Sequence, residues 1–418
     1  MKEMTSRERV YAAVNFKEPD RVPICFGGNS ATVIEEVPPN GRAATNLYRF
    51  IGINDADPKY AMVGNIVGAP DDRVMERLHS DFHYLYSNPP VDTIKVDENT
   101  KIYPFSFGMR IKSMGGNDMI DFTNPPMKYI TTEEDIDKYP YWPQLDIDIM
   151  KGVTENAKYL HKSTGYFVCA DYPFSYYPNN GYGFNSGMDK YFMDMIASPK
   201  LYHKLADRFL ETNLAYLAQF YSEIGPYIDC AMVYDDLGTQ TAGLVSLDTY
   251  RKRIKPYQAE VIKNIRKYIK PEAKILIHTC GSVYSFIPDL IEIGVQILNP
   301  LQPLAKNMEP WRIKKEFGKD IALLGGHDTQ LLLPNGTPEE NICGVKKLLR
   351  EYAPGGGYIF APSINIQSDT PPENIVAAFD TAYEYGKYPI SVDTDDADYV
   401  SYIKSLKLGA REKKAVLL

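Results

Sequence analysis

The sequence predicts a (β/α)8 TIM barrel with N-terminal helical and β-hairpin insertions, on three observations. Six short apolar runs recur after residue 165, most of them followed by a segment of helical period. One earlier run, Arg21–Phe26, supplies a further strand. Polar residues gather after nearly every run instead of at one crevice, and no run leads into the G-x-G-x-x-G turn of a doubly wound sheet.

At the start of the chain, Thr5 stands three residues before Glu8, a capping-box spacing, and Val10, Ala13 and Val14 share one helical face, so a short helix leads. Pro19-Asp20 breaks it, and the first strand ends at Gly27-Gly28. From Asn29 to about Pro143 the pattern is irregular, apart from an apolar–polar alternation over 101–122 around Gly115-Gly116 that predicts a hairpin at the barrel mouth. The regular half then runs through Tyr166–Cys169, Ala231–Tyr234, Ile275–Ile277, Val295–Leu298, Ile321–Leu324 and Tyr358–Phe360. Helices are expected over Met188–Ile224 (broken at Pro199), Asp248–Tyr268, Glu309–Phe317, Pro338–Tyr352 and Pro372–Tyr385. At 418 residues the chain is long for one domain, yet a barrel with insertions accommodates 1–418 as a single domain.

Composition narrows the function. A net charge of −8 without a dense Lys/Arg stripe argues against a nucleic-acid partner. No apolar run is long enough to span a bilayer and the N-terminus has no apolar signal region, so a cytoplasmic location with no membrane partner is expected. Five scattered cysteines do not form a disulfide framework. Cys25, Cys169 and Cys230 lie in or beside apolar strands as buried thiols, and Cys343 falls on a helical pattern.

In a parallel barrel the chemistry sits at the carboxyl ends of the strands. The strongest candidate there is His278-Thr279-Cys280-Gly281, because a histidine and a cysteine two positions apart at a strand end point the same way and offer the ligands that zinc favours. The adjacent carboxylates Asp235 and Asp236 face opposite ways on extended backbone, so only one reaches the mouth, and either catalysis or a structural charge partner explains the pair. Asp328 carries the same ambiguity, and His327 reads as a hydrogen-bonding residue after a Gly-Gly turn. Asp171 opens an aromatic stretch through Tyr172, Phe174, Tyr176 and Tyr177 that suits a planar ligand, and Asn365 and Gln367 offer amides to orient one or simply line a surface loop.

Several segments together carry a resemblance over nearly the whole chain: Thr5–Val10, Pro19–Pro23, His278–Gly281, Gly294–Gln302, Gly325-Gly326, Asn335–Glu340 and Pro371–Ile375. They resemble the uroporphyrinogen decarboxylase superfamily, particularly its corrinoid-linked methyltransferase branch. The decarboxylases carry arginines after the first strand to pair with porphyrinogen carboxylates, whereas Phe26–Thr32 has none here. The zinc methyltransferases use a His-x-Cys, which matches His278 and Cys280, and a later cysteine near the last strand, where this chain reads Ala361–Gln367. A third ligand therefore has to come from elsewhere, with Asp236 and His327 as candidates.

The resemblance thus implies transfer of a methyl group from an O-methylated, aromatic substrate to the cobalt of a separate corrinoid protein. It also implies zinc as cofactor, a proton from Asp236 or a tyrosine such as Tyr172, and homodimers as the common assembly. A tetrapyrrole decarboxylase, and a catalytically silent barrel that binds a corrinoid or a partner protein, remain the alternatives.

Overall fold

A computed structural model describes residues 3–28, 31–33, 46–56, 70–87, 92–114, 117–143, 149–171 and 178–408. Seven parallel strands hydrogen-bond in the order β1 (Phe82–Leu85), β6 (Phe167–Asp171), β7 (Cys230–Tyr234), β8 (Lys274–His278), β9 (Ile297–Leu301), β10 (Ala322–His327) and β11 (Tyr358–Pro362). The segment 22–26 closes the ring. Ile24 bridges Phe360 in parallel, with Cys25 N–H donating to Phe360 O and Phe360 N–H to Pro23 O. On its other side Asp81 N–H donates to Ile24 O, immediately before β1. The expected eightfold barrel is therefore the architecture.

Between β1 and β6 lies a separate antiparallel sheet of β2 (Ile94–Lys95), β3 (Thr100–Tyr103), β4 (Met109–Met114) and β5 (Asn117–Ile120). The hairpin expected over 101–122 is its β4–β5 pair, with Met114 opposite Asn117, and the turn Gly115-Gly116 is outside the described residues. The irregular reading of 29–143 missed β1. Its four residues are too few to show a period, and three of them are buried, so the strand lacks the alternation of a half-exposed one.

Alternation sorts the barrel's side chains. Cys25, Phe82, Tyr84, Phe167, Cys169, Cys230, Met232, Leu276, Ile297, Ala322, Leu324, Ile359 and Ala361 form one buried cluster, the lumen. Intervening residues such as Val168, Ala231, Ile275, Leu298 and Leu323 join the larger core beneath the helices. The leading helix Ser6–Val14, capped by Thr5 and Glu8 as expected, plugs the amino end of the lumen with Val10 and Val14, and Tyr11 meets Phe167 edge-on at 5.2 Å.

Closure is reinforced by charge. The carboxylate of Asp81, fully buried, accepts from Arg9 Nη1 at 2.7 Å, from Arg21 Nη1 at 2.8 Å and from Ile24 N–H at 2.9 Å. Arg9 is held in turn by Asp20 at 2.7 Å. Removing the centre of such a network leaves two guanidiniums facing a buried gap. Asp81→Ala is therefore expected to lose about 3–5 kcal/mol of stability, measured by urea unfolding, and an unchanged midpoint would refute this role.

Candidate metal centre

Because side chains repeat every two residues along a strand, the lumen positions continue upward to a rim at the carboxyl end. From Cys169 the next is Asp171, from Met232 it is Tyr234 and then Asp236, from Leu276 it is His278 and then Cys280, and from Ile297 it is Asn299. These rim residues form a continuous chain across the sheet. Tyr234 donates its hydroxyl to Asp171 Oδ1 at 2.7 Å and sets its ring 5.2 Å from that of His278. His278 Nδ1 lies 2.9 Å from Asn299 Oδ1, and Asn299 Nδ2 donates to Leu324 O at 3.3 Å.

On the solvent side of this chain, one ligand atom each from Asp236, His278 and Cys280 lies within 4.8 Å of the other two. Cys280 Sγ is 3.4 Å from His278 Nε2, and Asp236 Oδ1 accepts from Cys280 N–H at 2.8 Å. Burial, with the Asp236 carboxylate beside it, pushes the Cys280 thiol well above its ordinary range, and burial pulls the His278 imidazole below its own. A thiolate here consequently needs a cation beside it. An imidazole nitrogen, a sulfur and a carboxylate oxygen are a three-donor set that fits a zinc ion of the catalytic type.

Two glycines set the loop that carries Cys280. Gly281 has φ +86°, and a Cβ there would stand 2.5 Å from the Gly238 carbonyl carbon. A Cβ on Gly238 would meet Ser282 N at 2.7 Å and Cys280 O at 2.8 Å. Only two residues without side chains let the loops after β7 and β8 approach this closely, which brings Asp236 and Cys280 together.

The remaining sequence candidates serve the frame more than the cluster. Asp235 faces away from the rim, fully buried, and accepts from Gln258 Nε2 at 2.7 Å on the helix Lys255–Ile265. His327 is not part of the cluster: its Nε2 meets Asn341 Oδ1 at 3.0 Å and its Nδ1 meets Tyr399 OH at 3.3 Å, both from the outer helical layer. Asp328 caps the next turn through the N–H groups of Leu331 and Leu332. Asn365 Oδ1 accepts from Thr32 N–H at 3.4 Å, and the exposed Gln367 donates to Asn365 O at 3.2 Å, tying the last loop to the first. Asp171 reaches the rim but already holds the Tyr234 hydroxyl. Tyr172 and Tyr176 lie outside the described residues.

Sequence reasoning gave no role to Tyr234 or Asn299. Counting by two from the last apolar lumen residue, instead of inspecting the polar residues after each run, would have found both. Cavity size would have misled: a cleft of about 600 Å³ lies on the outer helical layer, where Arg251, Lys255, Asp289 and Glu292 already pair.

Comparison with known proteins gives the family. The model for uroporphyrinogen decarboxylase (URO-D) matches residues 109–385, more than half of the chain. The chain belongs to this family. Among curated relatives, a methylated-thiol–coenzyme M methyltransferase of Methanosarcina mazei is 26% identical over 137 residues, 33% of each chain. A uroporphyrinogen decarboxylase of Vesicomyosocius okutanii is 25% identical over 189 residues, 45% of this chain and 50% of its own. The matches thus span a third to a half of these relatives' length. The solved structure of a methyltransferase from Methanosarcina mazei superposes with a TM-score of 0.62 over 92% of this chain and 99% of its own, at 18% identity, a likeness of fold.

The outward position of His327 has a pH consequence. Burial lowers its pKa from 6.5 to about 4, so between those values the unfolded chain binds more protons than the folded one. Stability should therefore fall as pH drops through this window, by on the order of 3 kcal/mol from this residue. Denaturation of His327→Gln as a function of pH is expected to show a shallower loss, with no change in metal content.

Proposed function

We propose that this protein is a corrinoid-dependent methyltransferase, which moves a methyl group from an O-methylated aromatic compound to the cobalt of a partner corrinoid protein. The observation that carries the reading is the convergence of Asp236, His278 and Cys280 at the carboxyl end of the barrel. A methyltransferase among the family relatives supports it, as does the lack of arginine in Phe26–Thr32, where porphyrinogen carboxylates would need partners. That relative is named for a methylated thiol and coenzyme M. An ether donor is favoured here because the ligand set has a carboxylate where the thiol-activating branch has a second cysteine.

His278 Nε2, Cys280 Sγ and Asp236 would hold a zinc ion, which when bound supplies a Lewis acid for the oxygen that loses its methyl group. The chain's own residues do the rest. Asp171 accepts the Tyr234 hydroxyl proton in a hydrogen bond and so fixes the ring that lies 5.2 Å from that of His278, and burial with the Asp171 charge keeps that phenol protonated. Tyr172 and Tyr176 would stack on the aromatic donor, with the amides of Asn365 and Gln367 orienting its polar groups. The rim at the carboxyl ends of the strands would admit the carrier protein.

A decarboxylase of tetrapyrrole carboxylates is the second reading, favoured by the longer match to the Vesicomyosocius okutanii enzyme. The test is elemental analysis of the purified protein with methyl-transfer assays to a cob(I)alamin-loaded acceptor. About one zinc per chain, lost in His278→Ala and Cys280→Ala together with at least ~100-fold of the transfer rate, is expected. Full transfer by the double variant, or turnover of uroporphyrinogen, would sink the proposal.

A further inference from the structure

We propose that Asn299 is a positioning residue for the metal centre: it commits the imidazole of His278 to the tautomer that presents the Nε2 lone pair to a divalent cation. This rests on the zinc reading above and names how the chain prepares for the ion.

Hydrogen-bond direction decides the matter. The carbonyl of Leu324 can only accept, so the amide group 3.3 Å from it is the Asn299 nitrogen, and the amide oxygen faces His278. That oxygen cannot donate, so at 2.9 Å the hydrogen belongs to His278 Nδ1. Nε2 then carries the lone pair, and it faces Cys280 Sγ at 3.4 Å, on the side where Asp236 converges. Asn299 has no exposed surface, so bulk water does not stand in for it.

Three adjacent strands cooperate in this one orientation, since β8 carries the imidazole, β9 the amide and β10 the fixing carbonyl. The ring of Tyr234, anchored by Asp171, braces the opposite flank. The choice of an amide matters as well. An ionised Asp236 and a Cys280 thiolate together balance the charge of one divalent cation, and a neutral partner behind His278 fixes the tautomer without adding a further negative charge. Partners behind metal-binding histidines commonly carry a large share of metal affinity.

The test pairs zinc affinity, by competition with a chelator, with 15N spectra of the histidine ring, assigned with His278→Gln. In the metal-free wild type we expect the proton on Nδ1. Asn299→Leu, of similar size but unable to accept, should mix the tautomers and weaken zinc binding about 10–100-fold. Asn299→Asp keeps the acceptor and should hold Nδ1 protonated, with tighter zinc binding than Asn299→Leu. A wild-type proton on Nε2, or unchanged zinc affinity in a folded Asn299→Leu, overturns the proposal. Should Asn299→Leu not fold, the wild-type spectrum and Asn299→Asp decide it. Wild type that takes up no zinc overturns the metal reading instead, and the ring nitrogens still report on Asn299: Nδ1 protonated upholds its hold on His278, Nε2 protonated removes it.

Discussion

The buried carboxylate of Asp81 is the constraint on which the barrel depends. A sheet of seven parallel strands has two open edges, and the segment that joins them, 22–26, makes only a sparse ladder of backbone hydrogen bonds. Asp81 gathers what the ladder lacks: the N–H of Ile24, the guanidinium of Arg21 just before that segment, and Arg9 from the helix that plugs the lumen. One side chain thus ties the plug, the closing segment and the approach to β1 together. Fully desolvated, it is tolerable only because both arginines neutralise it, which makes the arrangement all-or-none.

A closed ring is what gives the rim its chemistry. On an open sheet, Asp171, Tyr234, His278 and Asn299 would be neighbours along a line. In a barrel the same register turns them inward over a packed lumen, where each side chain is held by the next strand's. The other two candidate ligands, Asp236 and Cys280, stand one step above this layer, on loops that meet at Gly238 and Gly281. Rigid strands therefore orient the imidazole, while the loops deliver the sulfur and the carboxylate.

The segments that carried the family resemblance divide between these two tasks, mostly in favour of architecture. Arg9, Asp20 and Arg21 are closure residues. Thr337 and Glu340 form the capping box of the helix Pro338–Tyr352, and Asn374 donates to the carbonyls of Leu333 and Gly336. His278-Thr279-Cys280-Gly281 belongs to the candidate metal centre, and Gly294–Gln302 contributes Asn299 beside it. Family membership in this chain is accordingly a statement about how the barrel is built, and the proposed activity rests on a handful of rim atoms.

The sequence by itself determined the strand and helix succession after residue 165, the helix caps and the position of His278 and Cys280, because each is a local pattern: a period, a cap spacing, a pair of ligands on one face. It also limited Asp235 and Asp236 to one inward carboxylate. Which of the two turns inward depends on the phase of β7 against the lumen, and that phase is set by pairing with β6 and β8. The same holds for His327, whose outward direction follows the phase of β10, in register with β11 from Leu323 to His327, and for β1, which forms a strand by pairing with β6. Tertiary structure alone decided that Asp236 converges with His278 and Cys280 and that Asn299 stands behind His278, since both rest on contacts between residues about 20 to 40 positions apart that no local period records.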